Sequence, residues 1–262
     1  MSDQNKYTQK LRNSKLLILG GSAGIGYGVA EATLENGCTV VISSSNPDRV
    51  QKAVERLQAA YPSSKDRISG HACNLGDEAS LEGNIKQLFE KTGSGIDHVV
   101  HTAGDSLATM KLKDIDIDTV KKAGLVRFFA PLFIGKIAPQ YMNAGPASSI
   151  IITTGAVSER PIPDWTVINS YATGLQGMVR GMALDLKPLR INLVSPGAVD
   201  TELWSDMPAE QKRAMFEEME KKIPVGKVAK VEDVAESYLY LMKDHNISGA
   251  MISTSGGHLL VG

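Results

Sequence analysis

The sequence predicts a single-domain α/β fold, doubly wound around one parallel sheet of about seven strands with helices on both faces. Three observations carry that prediction. Short β-branched runs alternate with longer helical patterns, which is the rhythm of repeated βαβ units. The first apolar run, KLLIL, passes through GGSAGIG directly into a helical stretch. A chain of 262 residues with 42% hydrophobic content can bury one sizeable core, so a single domain over 1–262 is expected.

The strand candidates, in order, are KLLIL, CTVVIS, RISGHAC, DHVVHT, SSIIITT, RINLVS and GAMISTS. Between them lie helical stretches, the most apolar running from Val120 to Met142 and from Ile168 to Leu186. Residues 204–225 form a charged, Met-rich amphipathic insertion between the sixth and seventh strands. It reads either as a solvated helix pair or as a mobile lid over a pocket. Internal repeats, low-complexity tracts and linkers are not seen.

A formal net charge of −1 provides no long-range field that would recruit nucleic acid or an anionic membrane, so a small-molecule partner is expected. No apolar run approaches the roughly 20 residues of a membrane span. The N-terminus has no apolar signal core, and Cys38 and Cys73 sit on separate strands, so a reducing, cytoplasmic protein is expected. His98 and His101 point to opposite faces of one strand and cannot share a metal; no metal site is expected. DIDID at Asp114 to Asp118 reads as the start of a helix and a solvated edge.

The strongest motif is LLILGGSAGIGYGVAEA. Gly20, Gly24 and Gly26 allow a tight turn, close approach of a pyrophosphate, and packing of helix on strand, while the helix N-terminus offers unpaired N–H groups to phosphate. The spacing resembles that of the short-chain dehydrogenase/reductase family, whose fold is of the Rossmann type, and the likeness covers nearly the whole chain. CNL at Cys73 to Leu75 resembles the family's Asp-Leu site beside adenine, with Asn74 in place of the acid. HTAG, ending at Gly104, resembles its Asn-Asn-Ala-Gly turn, and SPGAVDTELW, from Ser195, its Pro-Gly loop. The resemblance implies that Ser22, Ala23 and Ile25 lie at the phosphates, Asn74 and Leu75 at the adenine, Ala103 and Gly104 at the ribose, and Val199 and Thr201 at the nicotinamide.

Charge at the end of the second strand bears on the choice of cofactor. NAD binders place a carboxylate there; here the residues are Ser43, Ser44 and Ser45, with Arg49 one turn on. Hydroxyl donors and a guanidinium suit a 2′-phosphate, so NADP(H) is expected. The competing reading is a serine-rich turn capping the helix that begins near Pro47.

At the catalytic positions the sequence departs from the family. Members carry an asparagine, a serine, a tyrosine and a lysine four residues beyond the tyrosine. Taking Tyr171 as that tyrosine puts Leu175 at the lysine. The downstream run LQGMVRGMALDL resembles the family's helix in a different register, with Ile168 at the tyrosine, Ala172 at the lysine and Gly155 at the serine. Arg127 or Phe128 falls near the asparagine. A positioned general acid is worth roughly 10²–10⁴ in rate, which an ordinary ketone reductase should not discard.

Hydride delivery to an iminium needs no such acid, but it does call for negative charge near the cation. Asp164, in the loop RPIPDWTVIN, is the candidate, with Trp165 offering a face to a flat or cationic substrate. Asp164 could equally cap the helix that follows. Arg127, on an otherwise apolar helix, requires a partner; pyrophosphate, ribose or Asp164 could supply it, or a structural ion pair could. In these features the chain is similar to atypical fungal reductases of alkaloid biosynthesis, some of which reduce an iminium with NADPH and guide a following cyclisation.

The expectation is an NADP(H)-dependent oxidoreductase acting on an activated C=N or carbonyl of a bulky apolar molecule in secondary metabolism. The alternative is a nucleotide-binding pseudoenzyme or redox-silent cyclase on the same scaffold. The resemblance also implies a homodimer or homotetramer. Leu175, Met178 and Met182 fit either a helix-pairing surface or core packing.

Overall fold

The computed structural model describes residues 4–205 and 207–261. Seven strands form one parallel sheet: β1 (Lys15–Leu19), β2 (Thr39–Ser44), β3 (Ile68–Ala72), β4 (His98–His101), β5 (Ser149–Thr153), β6 (Arg190–Pro196) and β7 (Met251–Thr254). They run in the order β3-β2-β1-β4-β5-β6-β7. The order reverses between β1 and β4, whose registered pairs run from Leu16↔His98 to Leu19↔His101. A crevice opens at such a reversal, beyond the carboxyl ends of the two strands.

Side chains alternate between the two faces. Leu16 and Ile18 enter one core cluster, while Leu17 and Leu19 enter the other. Against the first face pack α1 (Gly24–Glu35), α2 (Pro47–Ala60) and α8 (Val231–Lys243). Against the second pack α3 (Leu81–Thr92), α5 (Ala130–Ile137) and α6 (Thr166–Asp185), with α4 (Ile117–Gly124) leading into α5. Leu175 and Met182 are buried in this second core, Met178 is packed against it and Met182 lies on Gly135, so all three pack inward rather than forming a free pairing surface.

Local signals set the helix starts. Asn46 accepts the Arg49 N–H at 3.0 Å and Pro47 occupies the first turn of α2, so an asparagine caps this helix and the serines do not. Asp116 accepts the Thr119 N–H at 2.9 Å and caps α4, as the DIDID run predicts.

The helix expected from Val120 to Met142 is not continuous. A π turn over Leu125–Phe129 separates α4 from α5, and the helical run ends in a short 3₁₀ turn at Ala138–Gln140. Pro131 lies just past this turn and has no N–H to return to a carbonyl of the preceding turn, so the regular α ladder is interrupted there. Of the two readings of the insertion, the helix pair is met only in part: among the described residues it holds one α-helix, α7 (Ala209–Lys222), after a 3₁₀ turn at Glu202–Trp204.

Arg190 shows how the far end of the sheet is closed. It is only 3% exposed, and its guanidinium donates to the carbonyls of Pro146 (2.5 Å), Leu241 (2.5 Å), Met242 (3.0 Å) and Asp244 (2.9 Å). These include the orphan carbonyls at the end of α8, so one side chain ties that helix to the start of β5. Nearby, burial first and the charge of Arg190 second pull His98 down to about 3, and the imidazole bonds Ser149 Oγ at 2.9 Å. Arg190→Met should cost about 3 kcal/mol, because the carbonyls it serves lose their donors in a dry site. A denaturant midpoint unchanged from wild type would refute this.

Candidate active site

The turn after β1 is built by exclusion. Gly20 has φ +92°, and a side chain there would strike the backbone of Thr102 and Ala103 at the end of β4. At Gly26 a side chain would strike the Gly20 carbonyl and Thr102 Oγ1. The Gly20 and Gly21 N–H groups donate to the Ser43 carbonyl at 2.8 and 3.1 Å, and the Thr102 hydroxyl donates to the Leu19 carbonyl at 3.1 Å. These bonds lock the ends of β1, β2 and β4 together. Ala23 is the extended residue before α1 and offers no capping side chain, so the first N–H groups of the helix are left for an outside anion.

Around this turn the expected cofactor residues fall into place unevenly. Ser22 is half-buried in the turn, whereas the Ile25 side chain packs against the core. Gly24 abuts Thr201, whose methyl carbon lies 3.3 Å from where a side chain on Gly24 would begin. Thr201 Oγ1 accepts the Leu203 N–H at 3.4 Å. Val199 is buried in the core and bridges Ala229, so its side chain is engaged in packing.

At the β2 end, Ser44 closes the strand and Arg49 donates to Ser45 Oγ at 2.9 Å, pairing a hydroxyl with a guanidinium on an exposed rim. Asn74 accepts the Gly76 N–H on its side-chain oxygen at 2.9 Å, and Leu75 is buried against the core beneath it.

Arg127 lies in the π turn, with its guanidinium across Gly104; a Cβ at that glycine would sit 2.7 Å from it. Its partner is Asp105: Nε lies 3.1 Å from the carboxylate, and Nη2 donates to the main-chain carbonyl of the same residue. The structure therefore does not place Arg127 on Asp164. Asp105 was missed in the sequence, although a carboxylate immediately after HTAG was the available signal. Burial lowers the pKa of Arg127 and the neighbouring carboxylate opposes that shift, so the charge is retained.

Asp164 is exposed and has φ +63°, a left-handed conformation that asparagine and aspartate tolerate best among residues with a Cβ. It does not cap α6: the cap position is Trp165, without a side-chain bond. Its carboxylate makes no hydrogen bond or ion pair among the described residues, while its carbonyl accepts the Met110 N–H at 3.1 Å. That bond ties the Asp164 loop to the segment that follows Asp105. Trp165 and Ile168 are half-buried.

Tyr171 is used for structure. Its hydroxyl donates to the Val120 carbonyl at 3.0 Å and its ring packs on Phe128 and Phe129. Beside Gly155, Thr154 Oγ1 donates to the Ala172 carbonyl at 2.9 Å and fastens the end of β5 to α6.

A glycine turn between β1 and a helix N-terminus, set at the point where strand order reverses, defines a dinucleotide-binding class of α/β protein. The family model of the SDR-like Rossmann domain matches residues 7–261. The short-chain dehydrogenase/reductase fsr5 of Gibberella fujikuroi is 43% identical over 99% of this chain and 100% of its own length. The structure of MalC reductase/Diels-Alderase from Malbranchea aurantiaca is 37% identical with a TM-score of 0.92, over 97% of this chain and 99% of that one. A small-chain dehydrogenase solved with NADPH, 23% identical over 95% of this chain and 99% of that one, has the same fold with a TM-score of 0.77. The chain belongs to the short-chain dehydrogenase/reductase family and is an oxidoreductase of that class.

Because only hydrogen fits between Gly104 and the guanidinium, Gly104→Ala should push Arg127 off its seat while leaving the sheet intact. A crystal structure of the variant with Arg127 unmoved would contradict this.

Proposed function

We propose that the protein is an NADPH-dependent reductase of an activated C=N, an iminium, in a bulky apolar small molecule of secondary metabolism. The observation that carries this reading is Asp164: an exposed carboxylate without a partner among the described residues, held in a left-handed conformation on the loop before α6. Left-handed backbone at a residue other than glycine costs of order 1 kcal/mol, and such conformations gather at functional sites. When bound, NADPH supplies a hydride to the iminium carbon and leaves a neutral amine, so no oxyanion has to be protonated. The carboxylate of Asp164 then balances the substrate cation, and Trp165 offers an aromatic face to it.

The cofactor assignment rests on donor chemistry. The first N–H groups of α1 suit a pyrophosphate, and the Ser45–Arg49 pair suits a 2′-phosphate. Gly20, Ser22, Ala23, Gly24, Ile25 and Gly26 would form the phosphate turn. Ser44, Ser45, Asn74 and Leu75 would take the adenosine end, and Ala103, Gly104, Val199 and Thr201 the nicotinamide half. Arg127 would face this half, its pair with Asp105 being exchangeable because both side chains are about one third exposed, at 31% and 39%.

Residues 204–225 would cover the substrate as a lid. No side chain of α7 is buried, and the segment is held by Trp204 Nε1 donating to the Val199 carbonyl (2.9 Å), the Lys212–Asp200 pair and the Trp204–Phe216 contact. That MalC is a reductase/Diels-Alderase supports a role in a following cyclisation.

Single-turnover mixing with NADPH and a panel of cyclic iminium ions, followed by nicotinamide absorbance, should show oxidation of the cofactor. Binding without oxidation across the panel would favour the redox-silent reading. Asp164→Ala should lower the hydride-transfer rate by roughly 10²-fold with NADPH affinity intact. Unchanged turnover would remove Asp164 from the mechanism. Arg127→Ala should weaken NADPH binding roughly tenfold, and an unaltered dissociation constant would remove Arg127 from the cofactor site.

A further inference from the structure

The helix that carries Arg127 contains a built-in vacancy for a donor. Within the π turn, the Ala130 N–H reaches back to the Leu125 carbonyl, and Pro131, next in line, has no N–H. The Val126 carbonyl is therefore left without a donor from its own helix. It is met from the sheet: His101, the last residue of β4, donates its Nε2–H to Val126 O at 2.9 Å. A carbonyl only accepts, so Nε2 carries the proton and the imidazole is a single tautomer.

The other ring nitrogen, Nδ1, is buried without a partner among the described residues. An apolar side chain at 101 would strand no lone pair on the imidazole side, but it would strand the Val126 carbonyl instead. The choice of histidine is thus explained by that one bond. Burial pulls the imidazole down to about 4, with the charge of Arg127 adding to the effect and the bond to Val126 opposing it, so the ring is neutral at ordinary pH.

The bond joins two segments that meet at the cleft. Arg127 follows Val126 directly, and Gly104 and Asp105, which receive its guanidinium, lie three and four residues past His101. We propose that His101 is a positioning residue whose bond to the Val126 carbonyl sets the π turn, so that Arg127 lies across Gly104 and against Asp105. This rests on the reading that Arg127 serves the cofactor cleft.

The test compares His101→Gln, whose side-chain amide carries a donor at the same reach as Nε2, with His101→Asn, one methylene shorter. Both carry the same amide and differ by one methylene, so a difference between them that is lost without Arg127 reports reach. NADPH titration by fluorescence should show roughly tenfold weaker binding in His101→Asn and near wild-type binding in His101→Gln. In the Arg127→Ala background the two variants should bind NADPH equally. His101→Asn binding like wild type, no rescue by glutamine, or the same loss persisting without Arg127 would each overturn the proposal. Should Arg127→Ala alone leave NADPH affinity unchanged, the cofactor reading of Arg127 fails, and His101 is then judged by a crystal structure of His101→Asn. A guanidinium displaced from Gly104 upholds the positioning role, and one that has not moved overturns it.

Discussion

Everything at the functional end of this molecule depends on how closely the end of β1 approaches the end of β4. The Gly20 turn, the Gly26 helix face and the Thr102–Ala103 backbone meet where only hydrogen fits, and the bonds from Gly20, Gly21 and Thr102 hold them there. That contact sets the mouth of the crevice, aims the N-terminus of α1 into it, and leaves Gly104 bare for a guanidinium to lie on. Loosening it would affect every proposed binding residue at once.

Two arginines illustrate how burial separates structure from chemistry. Arg190 is enclosed and spends its donors on backbone carbonyls at the end of α8 and ahead of β5, a closed arrangement that ties α8 to the sheet. Arg127 keeps a third of its side chain in solvent and one carboxylate beside it. An ion pair exposed to that extent contributes at most about 1 kcal/mol, so it can be exchanged for a ligand's charge, whereas the first cannot be given up without unpairing the backbone.

Much of the fold was legible because apolar runs and glycine spacing act locally. KLLIL is β1 without a residue's error, and the other six strands fall within a residue or two of their runs. The helix break at Leu125–Phe129 was less legible, although Pro131 is visible in the sequence; whether a proline kinks, ends or widens a helix depends on what satisfies the freed carbonyl, and that donor, His101, comes from a distant strand. The insertion's amphipathic pattern shows that it is helical, and the structure gives it one helix, Ala209–Lys222, but whether that helix covers a pocket depends on what it packs against and not on its own sequence.

By itself the sequence determined the strand order's raw material, the glycine turn, the serines at the end of β2 and the isolation of Arg127 on an apolar helix. These depend on neighbours in the chain or on a residue type that burial makes conspicuous. Only the tertiary structure decided that Arg127 pairs with Asp105 and not with Asp164, that Tyr171 is bound to the Val120 carbonyl, and that Leu175, Met178 and Met182 pack inward. Each of those outcomes turns on which of several reachable partners lies within about 3 Å, a distance that hydrogen bonds and ion pairs require and that no spacing along the chain encodes.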